Sequence, residues 1–248
     1  MKTLKKGLAI LNTFNEKVQN QGVTEIANKL GFHKSTTHSL LRTLLEDGYV
    51  IHDLATKRYS LGYMLLDLAG RITYRKDLRE ISHPIMQKLS VQCEEDVALN
   101  ILVEGRSVTI EVIESQYFIR PIIPLGKPYP LHCRAAGKAI MAYLSNEEIE
   151  DIIKRYGLMR YTPKTITEKE KLLLELEKIR QHSYAESRQE FGPEGISLAF
   201  PIFNKGHNVI ASLSIHSTIN RLNEKKQKRF INDGLKAAGM INKILVTI

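Results

Sequence analysis

Residues 22–49, GVTEIANKLGFHKSTTHSLLRTLLEDGY, decide the fold. Val23, Ile26, Ala27 and Leu30 recur at the spacing of one helix face, with Gly22 as the cap and Glu25 at the third helical position. Gly31 supplies a sharp reversal. A second helix from about Lys34 turns Thr37, Leu40, Leu41 and Leu44 inward. That leaves Lys34, Ser35, Thr36, His38, Ser39 and Arg42 outward, a face of hydroxyls, an imidazole and cations suited to base edges and phosphates. Thr24, at the start of the first helix, joins these candidate DNA contacts. Periodicity alone fits an ordinary antiparallel helix pair with a solvated face as well as it fits a DNA-reading helix-turn-helix.

The next residues separate the two readings. Asp47 and Gly48 close the second helix, and the runs Tyr49 to Ile51 and Arg58 to Leu61 flank a polar tip carrying Lys57 and Arg58. This is a small hairpin, or wing. In a winged helix-turn-helix the second helix enters the major groove and the wing reaches the neighbouring backbone, so Lys57 and Arg58 are expected at phosphates.

Charge distribution agrees with a polyanionic partner. The 248-residue chain has a formal net charge of +9. Residues 1–76 hold 12 Lys and Arg against 6 Asp and Glu, so the excess sits with the winged segment. A basic excess favours nucleic acid or an anionic membrane surface. No apolar run approaches the roughly 20 residues of a membrane span, and no signal-peptide pattern follows Met1, so a cytoplasmic protein is expected. Cys93 and Cys133 have no metal-type spacing and read as free thiols.

Around the motif, Leu4, Leu8, Leu11 and Phe14 suggest a support helix, and residues 15–22 a loop. After the wing, Leu61, Met64, Leu65, Leu68, Ala69 and Ile72 form a helical stripe closed by Arg71, Arg75 and Lys76. It reads as a linker helix able to meet another copy of itself, or else as a core helix of the same domain. From Asp77 the texture changes to a second domain. Leu78, Ile81, Ile85 and Leu89 mark a helix; residues 97–103 and 108–112 alternate around a Glu104 to Arg106 turn as a hairpin. Phe118 to Ile123 suggests a third strand. A helix is expected from Ala135 to Leu144, and capping boxes at Ser145 with Glu148 and Thr167 with Glu170 open two more, the first ending at Gly157. Strands at 196–203 and 209–215 and a last helix at 224–245 complete the chain.

KGLAILNTF (6–14), TEIANKLGFHKSTTHSLLRTLLEDGYV (24–50), KRYSLG (57–62), PLHCRAAGKAIMAYL (130–144) and ASLSIHSTINRL (211–222) occur in one order and spacing. On these segments the chain resembles the IclR-family transcriptional regulators from end to end. The resemblance implies an α+β chain: a winged helix-turn-helix at 1–62, a linker helix at 63–76, and at 77–248 a GAF-like antiparallel sheet domain flanked by helices that binds an effector. It also implies a double-stranded DNA operator, self-association as a dimer or a dimer of dimers, no membrane partner and no cofactor beyond the effector. Carried over by position, the effector pocket falls on Tyr129, the backbone of Ala135 and Ala136, and Ser187, Ser197, Ser214 and His216. Family members that hold small oxo-acids tend to have an acid where Ser187 stands, a cysteine where Ser197 stands, and often a serine at His216. His216 is therefore expected to make a charge-assisted bond to a carboxylate.

The residues themselves support a small organic acid. Ala135, Ala136 and Gly137 at a helix start would let a carboxylate approach free backbone N–H groups. A phosphate-binding glycine loop does not fit, since His132 stands where its first glycine belongs and Ala139 where a magnesium-binding hydroxyl belongs. Cys133 beside His132 lacks a third orienting group for nucleophilic chemistry. His132, Cys133 and His216 lack a metal-ligand spacing signature. A ligand-responsive regulator, more readily a repressor, is expected. The alternatives are a DNA-binding module fused to an enzymatic domain that converts its ligand, for which no paired carboxylates, triad or metal cluster is evident, and a ligand-free architectural DNA binder.

Overall fold

The computed structural model describes residues 2–15, 18–71, 76–118 and 120–247. The chain divides into two compact units, Met1–Tyr74 and Arg75–Ile248.

In the first unit α1 (Lys2–Leu11), α2 (Val23–Leu30) and α3 (Lys34–Glu46) precede a hairpin of β1 (Val50–Asp53) and β2 (Arg58–Leu61). Ile10, Phe14, Ile26, Leu41, Val50 and Tyr59 form the core. The expected support helix exists, but its inward face differs from expectation: Leu4 and Leu8 are exposed. A short helix can offer only one of two apolar stripes to a small core, and here that stripe runs through Ile10 towards Phe14. Gly31 adopts φ 67°, the left-handed conformation that ends α2 at no steric cost, and its N–H bonds back to the helix. The loop into α2 is pinned by a two-way backbone bridge between Gln21 and Tyr59. Gln21 Nε2 also donates to Thr13 Oγ1 at 2.9 Å.

After the wing, α4 (Met64–Gly70) buries none of its residues. It therefore adds nothing to the core of this unit, which removes the core-helix reading. Arg71 pairs with Asp67 at 2.7 Å. Ile72 and Arg75 of the expected stripe and basic cluster lie outside the described residues.

The second unit opens with α5 (Lys76–Cys93) and continues through β3 (Asp96–Val103), β4 (Arg106–Ile113), β5 (Pro128–Tyr129), α6 (Ala135–Met141), α7 (Asn146–Tyr156), α8 (Lys169–His182), β6 (Ala185–Arg188), β7 (Gly195–Phe203), β8 (Val209–Thr218) and α9 (Glu224–Thr247). Its six strands lie in the order β5-β4-β3-β8-β7-β6, every pair antiparallel. Alternation sorts the two faces. Val97, Leu99, Ile101, Leu198, Phe200, Leu213 and Ile215 join α5 and α9 in one core. Ala185 and Ala199 join α6, α7 and α8 in another.

Three expectations for this unit need correction. Phe118 to Ile123 forms no strand among its described residues, Ile119 lying outside them. Pro121 lacks the N–H a ladder needs, and the sheet edge is instead β5, which pairs with Ser107 and Val108 of β4. Thr167 and Glu170 do not make a capping box: α8 begins at Lys169 after Glu168, and the Thr167 hydroxyl accepts from Arg160 Nη2 at 3.1 Å. The box of Ser145 with Glu148 does form, and Gly157 ends α7. The short strand β6 was not foreseen.

Candidate DNA-reading face and sheet pocket

On α3, Thr37 and Leu41 are buried, with Leu40 and Leu44 half-buried beside them. Lys34, Ser35, His38, Ser39 and Arg42 are exposed, and Thr36 is half-buried. Among the described residues Arg42 has only a long, exposed contact to Glu46, at 3.6 Å, which leaves its guanidinium available to a base edge. Thr24 is exposed in the first turn of α2. At the wing, Asp53 shapes the turn by accepting from the backbone N–H groups of Ala55 and Thr56 and from the Thr56 hydroxyl. Those bonds hold its carboxyl below the usual range. Lys57 is exposed with φ 57°. Arg58 behaves differently: its Nη2 meets Glu25 Oε2 at 2.8 Å and the Asn20 carbonyl at 3.1 Å.

In the second unit, register assembles a polar row on one sheet face. Ser187 of β6 stands opposite Ser197 of β7, Ser197 opposite His216 of β8, and His216 opposite Asp96 of β3. Directly opposed residues share a face, so groups from four strands meet there. Ser187, Ser197 and His216 line a recess of about 370 Å³ together with Tyr129, Arg134, Phe191, Arg120 and the 192–196 segment. Arg134, the residue capping α6, lies 4.0 Å from the Tyr129 ring centroid and 5.4 Å from that of Phe191. The two rings meet edge to face.

The two basic groups of the recess differ in charge. His216 is 7% exposed, and burial, followed by the Arg134 charge, lowers its pKa to about 3. It is thus a neutral imidazole, whose Nε2 lies 2.8 Å from Ser214 Oγ. Burial also lowers the Arg134 pKa, yet a guanidinium stays charged, and no carboxylate pairs with it among the described residues. Arg120, by contrast, is held by Asp96 and Glu114.

A larger recess of about 980 Å³ lies beside α5, but its charged lining residues Lys88, Glu94 and Glu114 are exposed and ordinary for a surface. It lacks the half-buried, unpaired cation that distinguishes the smaller one.

Residues 3–54 match the IclR helix-turn-helix domain family, and residues 71–243 match the bacterial transcriptional regulator IclR C-terminal family. The chain belongs to the IclR family. It is a DNA-binding transcriptional regulator with a C-terminal ligand-binding domain, not an enzyme. Among its relatives, the HTH-type transcriptional regulator XynR of Escherichia coli K12 is 29% identical over 241 residues, covering 97% of this chain and 95% of the relative. The HTH-type transcriptional repressor AllR of the same strain is 29% identical over 231 residues, covering 93% and 84%. The crystal structure of Thermotoga maritima IclR superimposes with a TM-score of 0.84 at 29% identity, covering 99% of both chains.

Of the pocket residues assigned to this IclR-family chain from sequence, Tyr129, Ser187, Ser197 and His216 come together in the recess, whereas Ala135, Ala136 and Ser214 do not line it. Ala135 and Ala136 are buried, and Ser214 lies behind the surface, bonded to Asn100 Nδ2 at 2.9 Å and to His216. The small residues of α6 serve packing instead: a Cβ on Gly137 would sit 2.5 Å from the Leu131 backbone. His216 is neither a solvent-facing strand residue nor the cation expected of it. His132 and Cys133 have structural roles, His132 Nε2 bonding the Met159 carbonyl at 3.0 Å and burial pushing the Cys133 thiol up to about 12. Arg134 is the residue that sequence reading missed. Sequence offered little signal for it, because Lys138 is a second cation in the same run and only the fold shows that Lys138 is paired with carboxylates while Arg134 is not.

Proposed function

We propose that this regulator is a ligand-gated repressor whose C-terminal unit senses a small organic acid. Arg134 carries the reading. A partly desolvated guanidinium without an acid partner is costly, and a ligand carboxylate would offset that cost with paired N–H···O bonds. Ser187, Ser197 and neutral His216 add hydrogen-bonding groups that fix the orientation of the rest of the ligand, and Tyr129 and Phe191 an apolar wall. The repressor sense is supported by the relative AllR, an HTH-type transcriptional repressor. Two copies would place two reading helices in successive major grooves about 34 Å apart, and the apolar residues that α4 leaves exposed suit that pairing.

The test is a thermal-shift screen of the full chain against small aliphatic and aromatic carboxylic acids, in parallel with Arg134→Ala. Acids that bind raise the melting temperature by mass action, and Arg134→Ala removes the shift while its DNA affinity without acid stays intact. Acids that stabilise both proteins equally would sink Arg134 as the anchor. In gel-shift assays an acid that binds should weaken operator binding; tighter binding would reverse the repressor reading.

A further inference from the structure

We infer that Arg58 is a positioning residue that straps the wing to the reading motif through Glu25, rather than a phosphate contact. Basic residues at a wing tip ordinarily read as backbone contacts, and Lys57 has the free, exposed geometry for that. Arg58 does not. Its Nη2 donates to Glu25 Oε2 at 2.8 Å and to the Asn20 carbonyl at 3.1 Å. The same Glu25 oxygen accepts the Gly22 N–H at 2.9 Å, so one carboxylate ties together the start of α2, the loop before it and the first residue of β2. The adjoining residues repeat the tie, because Gln21 and Tyr59 exchange backbone hydrogen bonds at 2.9 and 2.8 Å. Since α2 fixes α3 through the Gly31 turn, this node sets where the wing stands relative to the reading helix. Gly22 and Arg58 bonding hold the Glu25 carboxyl below its usual range, so it is ionised at neutral pH. Arg58 therefore also masks an acid that would otherwise face a polyanion.

A strap and a phosphate contact respond oppositely to loss of Glu25. Removing an acid from a DNA-binding surface ordinarily strengthens binding to a polyanion. With a strap, Glu25→Gln weakens it instead, by up to about five-fold, the upper end of what an exposed ion pair contributes. Arg58→Gln alone weakens binding as well, and in the Glu25→Gln background it costs clearly less, leaving only the loss of the Asn20 bond and of one positive charge. The measurement is fluorescence anisotropy of the full chain on a mixed-sequence duplex of about 25 bp at fixed salt, a probe that needs no known operator. The exchanged pair, Glu25→Arg with Arg58→Glu, covers the case where a single variant folds poorly, and it recovers part of the affinity that Arg58→Glu alone loses, the ion pair returning without the Gly22 and Asn20 bonds. Tighter binding by Glu25→Gln would overturn the inference. So would an Arg58→Gln loss of equal size in both backgrounds, or an exchanged pair as weak as Arg58→Glu alone.

Discussion

Arg134 and His216 reach the same recess from different elements, and the first bears on the charge of the second. Burial, reinforced by the nearby guanidinium charge, keeps the imidazole neutral, so His216 is a hydrogen-bonding partner for an acid rather than a second cation. The consequence for stability has a definite sign. An unfolded histidine takes up a proton near pH 6.5, whereas folded His216 holds out to about 3. Above the unfolded value neither state binds the proton. Below it only the unfolded chain does, so the stability His216 contributes is lost as pH falls from 6.5 towards 3, with a slope of up to about 1.4 kcal/mol per pH unit. Between about pH 7 and pH 5 the wild type should lose roughly 2 kcal/mol more than His216→Gln does, read from urea unfolding at both pH values. Equal losses would mean that His216 is protonated in the fold.

At the scale of elements, α6 is the piece on which the pocket depends. Its cap presents Arg134, while Gly137 lets the helix lie against its own lead-in, with the Leu131 backbone occupying the place a Cβ would take. Lys138, next along, is buried with Nζ 2.7 Å from Glu190 and 3.1 Å from Glu175, and so holds down the segment that continues into Phe191. Gly137→Ala should therefore move the lead-in, costing about 1–3 kcal/mol of stability and weakening acid binding, since Arg134 shifts with it. An unchanged urea midpoint would show that Leu131 yields without strain. The reading motif was legible in sequence because α2, Gly31 and α3 are contiguous and their inward residues repeat at helical spacing. The capping box at Ser145 was legible for the same reason of locality. Leu4 and Leu8 misled because apolar spacing says that a helix has a stripe, not which stripe a small core accepts. The pocket was only half legible. Its row of Ser187, Ser197 and His216 exists through cross-strand register, and β6 is too short to show a period. Arg134 becomes informative only once the fold shows that, among the described residues, no carboxylate pairs with it.

At the scale of the molecule, the reading face and the recess belong to different compact units, each with its own core. An acid in one can alter DNA binding by the other only if it binds the DNA-competent and DNA-incompetent states with different affinity. Linkage then makes the effect reciprocal: whatever factor the acid takes from DNA affinity, DNA must take from acid affinity. For a coupling of about 1–3 kcal/mol that factor is roughly 5 to 150. It can be measured both ways on the full chain, by titrating operator DNA at saturating acid and by titrating the acid calorimetrically with and without saturating DNA. Gating predicts two equal factors well above one. Arg134→Ala should leave DNA affinity the same with and without acid, because the differential contact is gone. A factor of one in the wild type, with acid demonstrably bound, would mean that the recess holds a ligand without informing the reading helices, and the sensor role would then have to be abandoned.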